Sequence, residues 1–236
     1  MKQTILIYGT TGNGKTSLAA TAEHPIKFLD VEARAQNIHP DDKEGIEFER
    51  VKTPEDIRNF YLKNIALAKS GKFPFKTIVI DSLREVQRIF FQEYEKKADK
   101  SKDNWKWTAW DREHADIHNF LRSMRDFPVM YDINLIMTCP AYEEKDGETT
   151  VQFPLLDGLS KFINEVMGQF DSIFYIQPTM IGNTIEYKLI TRNTGKIKAK
   201  NPSRTLATVL DVTEGKDNRW TLKTILEPEK KEVTVK

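Results

Sequence analysis

Near its start the chain reads Ile5-Leu6-Ile7-Tyr8-Gly9-Thr10-Thr11-Gly12-Asn13-Gly14-Lys15-Thr16-Ser17-Leu18. Residues 9–16 match the phosphate-binding pattern G-x-x-x-x-G-K-S/T at every position. The apolar run before this pattern is typical of a buried strand, and the residues after it have the composition of a helix. The order of strand, glycine-rich loop and helix predicts a P-loop that binds the phosphates of a nucleotide.

The residue types of this loop suit phosphate chemistry. Glycines let the backbone N–H groups turn inward around phosphate oxygens, and the helix that follows adds its positive dipole end. We expect Lys15 to reach the β- and γ-phosphates of ATP and the Thr16 hydroxyl to ligate Mg²⁺. The predicted nucleotide-binding residues are Gly9, Thr10, Thr11, Gly12, Asn13, Gly14, Lys15, Thr16 and Ser17.

Two further apolar runs end in carboxylates. Residues 76–81 predict a buried strand that delivers Asp81 to the Mg²⁺ side of the nucleotide, as the Walker B strand of P-loop proteins does. Residues 26–31 predict another strand, and it is followed by Glu32. Open α/β sheets bind ligands at the carboxyl ends of their strands, so Asp30 and Glu32 are also placed at the site.

Alternating strands and helices with a P-loop on the first strand predict an α/β fold, a mostly parallel central sheet flanked by helices. A hairpin turn at residues 181–184 leads into a run at 185–191, which predicts an antiparallel extension after the core. Residues 141–158 are expected to form a polar loop. The predicted division is a core at 1–212 and a peripheral tail at 213–236.

Composition limits the classes of protein that fit. The chain has 236 residues, of which 39% are hydrophobic, and its net charge is only +1, so composition alone does not favour nucleic-acid binding. The one cysteine, Cys139, excludes an intramolecular disulfide and a cysteine-cluster metal site. No apolar run is long enough to span a membrane and no signal peptide is recognisable, so we expect a cytoplasmic protein without a membrane partner.

A cluster of tryptophans and lysines is the best local signal for nucleic acid. Three of the four tryptophans lie at 105, 107 and 110, with lysines at 96, 97, 100, 102 and 106 around them. Aromatic side chains flanked by cations hold single strands without reading their sequence. Trp110 falls on an apolar helical stripe and Trp107 is a second candidate for the core, so the predicted DNA-binding residues are Trp105, Lys106 and Lys102.

The order of motifs resembles that of the phage nucleotide-binding ATPases with a minimal RecA-like core, some of which are single-strand annealing proteins or recombinases. The resemblance covers roughly residues 3–205. It rests on the P-loop and on the order of the motifs that follow: the strand before Glu32, the strand ending at Asp81, the segment 105–110, the strand ending at Thr138, and the segments 154–158, 170–173 and 196–204.

This resemblance implies roles for particular residues. Glu32 corresponds to the glutamate that activates the attacking water, and Thr138 to a polar residue that senses the γ-phosphate; many relatives carry histidine next, where this chain has Cys139. Lys198, Lys200 and Arg204 match a basic segment that reaches the neighbouring protomer's nucleotide. Residues 141–158 stand where RecA-like proteins have their second DNA-binding loop, although the segment is acidic for that role.

The implied cofactors are ATP and Mg²⁺, and the implied partners are single-stranded DNA, further copies of the chain in a ring or filament, and a single-strand-binding protein. The implied location is the cytoplasm of the infected host cell if a phage encodes the protein. Two alternatives stay open. A P-loop nucleotide kinase needs an arginine-rich lid, for which only Arg112, Arg122 and Arg125 stand together. An NTP-dependent switch or assembly ATPase would not act on DNA.

Overall fold

The computed structural model describes residues 2–146, 149–203, 206–215 and 219–226. Within these residues nine strands form, and they are β1 (Thr4–Gly9), β2 (Ile26–Asp30), β3 (Ile46–Arg50), β4 (Thr77–Asp81), β5 (Asn134–Asp146), β6 (Thr149–Pro154), β7 (Ser172–Ile181), β8 (Thr184–Ile190) and β9 (Val209–Asp211). The helices are α1 (Lys15–Ala20), α2 (Pro54–Lys69), α3 (Leu83–Lys97), α4 (Trp105–Met124), α5 (Asp126–Met130), α6 (Ser160–Gly168) and α7 (Leu222–Leu226).

The strands form one sheet in the order β3-β2-β4-β5-β1-β7-β8-β9, with β6 paired to the outer half of β5. The strands from β3 to β7 in this order run parallel, whereas β8 and β9 are antiparallel additions at one edge. β1 lies inside the sheet, where Ile5 pairs with Ile136 on one side and Ser172 on the other. This architecture confirms the predicted RecA-like α/β fold with a trailing antiparallel hairpin.

Helices cover both faces of the sheet, and two apolar clusters lie between the helices and the sheet, one on each face. Successive side chains of a strand point into these two clusters in turn. In β1, Leu6 and Tyr8 pack in the larger apolar cluster with α2 to α6, while Ile5 and Ile7 pack in the smaller cluster with α1 and α7. Successive side chains of a strand point to opposite faces, so a strand buried on both faces is apolar throughout. This requirement explains the continuous apolar run that precedes the P-loop.

The prediction of a polar loop at 141–158 is wrong for most of that segment. β5 continues to Asp146 and pairs with β6 as an antiparallel hairpin. The rings of Tyr142 and Phe153 stack across this hairpin with centroids 5.8 Å apart, and Val151 is buried. Cross-strand pairs of aromatic and β-branched residues stabilise a sheet. In the sequence, charged residues stand between these packing residues, so the segment reads as a polar loop. Gly147 lies outside the described residues.

In the sequence, Lys198 and Lys200 alternate with Ile197 and Ala199, which predicts that the two lysines share one face of a strand, and this prediction is also wrong. The described residues there form only two isolated bridges, between Ile197 and Gln152 and between Lys200 and Ile173. Lys198 is half-buried with its Nζ atom 5.6 Å from the centroid of the Phe153 ring, whereas Lys200 is exposed. The two ammonium groups therefore have different surroundings. Arg204 lies outside the described residues.

Part of the tail packs closely on the rest of the chain. We call residues 219–226 the tail segment. Leu222 and Ile225 are buried in the smaller apolar cluster, and the Leu222 N–H donates to Thr21 Oγ1 at 3.0 Å. The division at residue 212 stays a prediction, and residues 216–218 and 227–236 lie outside the described residues. None of the helices in the described ranges is long and apolar enough to cross a membrane.

One buried carboxylate stands out in the larger apolar cluster. The Glu113 side chain on α4 is fully buried, with His114 Nε2 at 3.5 Å from its Oε2 atom and the Gln87 side chain as a hydrogen-bonding neighbour that offsets only part of the cost of desolvation. Burial raises the pKa of Glu113 from 4.5 to about 8, because a desolvated carboxylate is unfavourable. The folded protein therefore retains a proton on Glu113 at pH values at which the unfolded chain has released it.

We predict that this proton makes the free energy of unfolding fall as the pH rises from about 4.5 to about 8, by up to roughly 1.4 kcal/mol per pKa unit of difference. Glu113→Gln should remove this part of the pH dependence and exceed the wild-type stability above pH 8. Urea denaturation at a series of pH values measures both effects. The exposed Glu44→Gln is the control, and an unchanged slope in Glu113→Gln would contradict the prediction.

Candidate nucleotide site

The P-loop connects the central strand to a short helix, and its glycines have two different functions. Gly12 and Gly14 have φ angles of 84° and 76°, a left-handed conformation that favours glycine. Gly9 instead allows close packing, because a Cβ atom there would lie 2.4 Å from the carbonyl oxygen of Ile176 on β7. The predicted loop therefore has the backbone that a phosphate cradle needs, with α1 beginning at Lys15.

Lys15 lies at the base of this loop. Its Nζ atom donates to the carbonyl oxygens of Gly9 and Thr10, both at 2.9 Å, and the side chain is largely buried. Burial lowers the pKa of Lys15, because desolvation disfavours its charged form. An anionic phosphate beside the ammonium would restore the charged form, so a triphosphate fits this position.

The carboxylate of Asp81 connects three elements at the carboxyl edge of the sheet. One oxygen accepts from Thr16 Oγ1 at 2.8 Å and the other accepts from Thr138 Oγ1. Burial raises the pKa of Asp81, and a bound cation would favour its ionised form. No cluster of three histidine, cysteine or acidic residues suited to a metal occurs in the described part of the chain. The hydroxyl and carboxylate oxygens of Thr16 and Asp81 fit Mg²⁺, which completes its coordination with phosphate and water.

Thr138 contacts Asp81 rather than open space. It is fully buried in β5 next to β4, and its hydroxyl donates to the Asp81 carboxylate. The structure thus gives Thr138 a positioning contact to the predicted metal ligand. Its role as a sensor of the γ-phosphate stays a prediction.

Glu32 follows β2 and is fixed beside the Asp81 strand. The backbone N–H groups of Val31 and Glu32 both donate to the Asp81 carbonyl, at 2.8 and 3.1 Å. The Glu32 carboxylate accepts from Ser82 Oγ and pairs with Arg34 Nε at 2.9 Å. Two strand ends are therefore tied together so that Glu32 and Asp81 line the same pocket.

Asp30 has a structural role instead. Its two carboxylate oxygens accept the backbone N–H groups of Arg34 and Ala35, at 2.8 and 3.3 Å. These bonds close the turn that carries Arg34 toward Glu32. Of the two carboxylates at this strand end, Glu32 is the one that lines the pocket.

A pocket of about 640 Å³ lies between the P-loop and these strand ends. Sequence reading missed three arginines in its lining, Arg34, Arg84 and Arg88. For Arg84 and Arg88 the sequence did contain a signal, namely their position just after the Asp81 strand. α3 starts there, and its first turns face the carboxyl edge of the sheet. Each arginine has an acidic partner, and these pairs are Arg34 with Glu32, Arg84 with Asp157 and Arg88 with Glu85.

The predicted DNA-binding residues lie at the start of α4, away from this pocket. Lys106 and Lys102 are exposed, whereas Trp105 is half-buried with the ammonium groups of Lys100 and Lys106 at 5.3 and 5.6 Å from its ring centroid. The expectation that Trp107 belongs to the core is wrong, since 60% of it is exposed. Trp107 sits at the amino end of α4, before the helix enters its packed region.

A glycine cradle, a buried lysine, a hydroxyl–carboxylate pair and a glutamate meet at one edge of a RecA-like sheet. This combination defines the P-loop ATPases. The chain matches the AAA domain family over residues 1–203 and belongs to that family.

Among solved structures, the chain is similar to the KaiC-like protein PH0186 from the hyperthermophilic archaeon Pyrococcus horikoshii OT3. The TM-score is 0.50 and the sequence identity 15%, with 89% of this chain and 84% of that chain covered. At this identity the similarity shows the fold alone. No curated protein sequence matches the chain.

We predict that Glu32→Gln binds ATP with near-normal affinity but hydrolyses it about 10²-fold more slowly or worse, because the amide cannot accept a proton from the attacking water. Phosphate release and nucleotide binding measure the two effects separately. Asp30→Asn is the matched control and should lower thermal stability while retaining most of the turnover. Near-normal turnover in Glu32→Gln together with a large loss in Asp30→Asn would assign the base to Asp30.

Proposed function

We propose that the protein is a Mg²⁺-dependent ATPase of DNA recombination, which binds single-stranded DNA as an oligomer and promotes annealing or strand pairing. The observation that carries the hydrolytic part is the convergence of Lys15, Thr16, Asp81 and Glu32 on one pocket. The DNA part is supported by the exposed cluster at the start of α4 and by the resemblance in motif order. A phage origin belongs to this proposal as well.

The residues of the pocket divide the chemical work. Lys15 and the loop N–H groups would bind the phosphates, and Thr16 and Asp81 would hold a Mg²⁺ ion, which would supply positive charge beside the phosphoryl oxygens. Glu32 accepts the proton of the attacking water through its carboxylate. Ser82 and Arg34 fix the orientation of that carboxylate.

The tryptophan–lysine cluster consists of Lys100, Lys102, Trp105, Lys106 and Trp107. The exposed Trp107 ring can stack on a base, and lysines beside the rings can pair with phosphates. Such contacts bind single strands without sequence preference, which suits an annealing protein. A local patch of this kind is compatible with a net charge of +1.

Two packed helices connect this cluster to the pocket. Arg84 and Arg88 in the first turns of α3 line the pocket, and further along α3 the Phe91 ring lies 6.1 Å from that of Trp110 on α4. Trp105, Lys106 and Trp107 of the cluster form the first turn of α4, and the Trp107 ring lies 5.4 Å from that of Trp110. DNA bound at the start of α4 can therefore bias the position of α3, and through it the pocket.

The kinase alternative has less support. Arg112 and Arg122 lie on α4 and Arg125 directly follows it, and none of the three is in the pocket lining. The arginines that do line the pocket already pair with acids. An acceptor phosphate would have to compete with these carboxylates. The other alternative, an NTP-dependent switch that does not respond to DNA, is distinguished by measuring ATP turnover with and without single-stranded DNA.

We predict that single-stranded DNA stimulates ATP turnover and that Trp107→Ala weakens DNA binding about tenfold, the scale of one lost stacking contact. Lys106→Ala should reduce the salt dependence of binding, with a slope smaller by roughly 0.7 for one lost phosphate contact. Lys69→Ala, which removes an exposed lysine of α2, is the control. Turnover that ignores DNA, with unchanged DNA affinity in both cluster variants, would indicate a switch or assembly ATPase.

The oligomeric part of the proposal concerns the basic segment. Lys200 lines a cleft with Lys2 and Asp171 at the amino end of β1, opposite the P-loop edge of the sheet. A side chain there is far from its own pocket and available to a neighbouring copy. In oligomeric ATPases a cation supplied by a neighbour stabilises charge developing on the γ-phosphate.

We predict that the double variant Lys198→Ala, Lys200→Ala binds ATP normally but loses DNA-stimulated turnover. Lys15→Ala should lose ATP binding. Mixing the two inactive proteins should restore activity at about a quarter of the interfaces, those that pair an intact P-loop with intact lysines in a head-to-tail assembly. Mass measurement confirms co-assembly. A mixture that co-assembles but stays inactive would contradict the trans role.

A further inference from the structure

A second cavity lies on the other side of the P-loop. It has a volume of about 180 Å³ and is bounded on one side by Gly12, Gly14 and Ser17 with the outer face of α1. The opposite wall comes from the carboxyl-terminal part of the chain and includes Tyr187 of β8 and Trp220 of the tail segment. We call this space the tail-side cavity.

The tail-side cavity and the larger pocket meet along the P-loop, because Gly12, Gly14 and Ser17 line both. The larger pocket contains Glu32 and Asp81, which mark the position of the γ-phosphate and its metal ion. A triphosphate bound along the loop has its other end beyond Ser17. The nucleoside is attached at the end of the triphosphate away from Glu32 and Asp81, and the tail-side cavity is the space beside the loop whose lining contains neither carboxylate.

We infer that the tail-side cavity holds the nucleobase and ribose of ATP, with Tyr187 and Trp220 as the aromatic contacts of the base. The inference rests on the ATP binding of the proposed function and adds the residues that recognise the nucleoside. The cavity is smaller than the roughly 300–1,000 Å³ of pockets that enclose a whole drug-sized ligand. Its size suits one part of a nucleotide rather than the complete molecule.

The two aromatic residues are held by their backbones. The Tyr187 N–H donates to Thr213 Oγ1 at 2.9 Å, and the Trp220 N–H donates to the Asp211 carbonyl at 2.8 Å. Both residues line the cavity and also pack against the smaller apolar cluster, and because every base has a π-face, a base in the cavity can stack on an aromatic ring there. The carboxylate of Glu214 at the same cavity can accept a hydrogen bond from a ribose hydroxyl or an exocyclic amine.

The tail segment is also fixed to the helix that follows the P-loop. The N–H groups of Leu222 and Lys223 donate to Thr21 Oγ1 and to the Thr21 carbonyl, at 3.0 and 3.1 Å. Trp220 therefore has a defined place relative to Ser17. Trp220 lies beyond residues 1–203, which match the AAA domain family, whereas Tyr187 and the P-loop wall of the cavity lie within them.

The test compares ATP with inorganic triphosphate, which binds the P-loop but has no base. In Trp220→Leu we expect the affinity for ATP to fall about tenfold or more and the affinity for triphosphate to stay at the wild-type value. Tyr131→Leu, which changes a half-buried aromatic residue that lines neither the larger pocket nor the tail-side cavity, is the control and should change neither affinity. Binding is measured by calorimetry on the full chain.

A fluorescence measurement on a protein that retains Trp220 tests the same inference even if Trp220→Leu does not fold. Phenylalanine at positions 105, 107 and 110 leaves Trp220 as the one tryptophan of the chain. ATP should change the Trp220 emission and triphosphate should not. Equal losses of ATP and triphosphate affinity in Trp220→Leu, or an emission that ignores ATP, would overturn the inference. Triphosphate binding that survives Lys15→Ala would instead overturn the P-loop assignment itself.

Discussion

The site depends on one buried carboxylate, that of Asp81, and on the two threonine hydroxyls that donate to it. Thr16 and Thr138 belong to α1 and β5, so these two bonds join the P-loop helix to two neighbouring strands. A desolvated carboxylate is costly unless it is hydrogen-bonded or paired with a cation. Because burial raises the pKa of Asp81, the arrangement gains most from a metal ion that restores its ionised form. A bound cation would therefore stabilise the same carboxylate that joins the three elements.

The charges around the pocket are balanced in pairs. Each of its three arginines contacts an acid, and one of these acids, Asp157, lies in the segment after the β5–β6 hairpin. Gln87 on α3 holds the same residue through its backbone N–H and carbonyl groups, at 2.8 and 2.6 Å. A triphosphate brings negative charge that competes with Asp157 for Arg84. The contact of Asp157 with Arg84 therefore links the segment after the hairpin to the charge that the pocket holds.

The sequence was sufficient to predict what depends on neighbouring residues. The P-loop and the Asp81 strand are contiguous sequence patterns. An apolar run followed by an acid predicts a buried strand of a parallel sheet with its acid at the carboxyl edge, where ligands bind. The β5–β6 hairpin was missed because charged residues alternate with its packing residues. The pocket arginines and the tail-side cavity were missed for another reason. Residues such as Ser17, Tyr187 and Trp220 are far apart in the chain, and only the completed fold brings them together.

The tail segment bears on the P-loop through stability as well as contact. α1 has six residues, far fewer than the roughly 12–15 below which an isolated helix is marginal in water. It must be held by packing, and its Leu18 and Ala19 share an apolar cluster with Leu222 and Ile225 of the tail segment. The helix whose first residues bind phosphate is therefore enclosed between the sheet and the carboxyl-terminal part of the chain. A nucleoside bound against the carboxyl-terminal part would stabilise its packing on α1. Nucleotide binding and the conformation of the P-loop helix would therefore depend on each other.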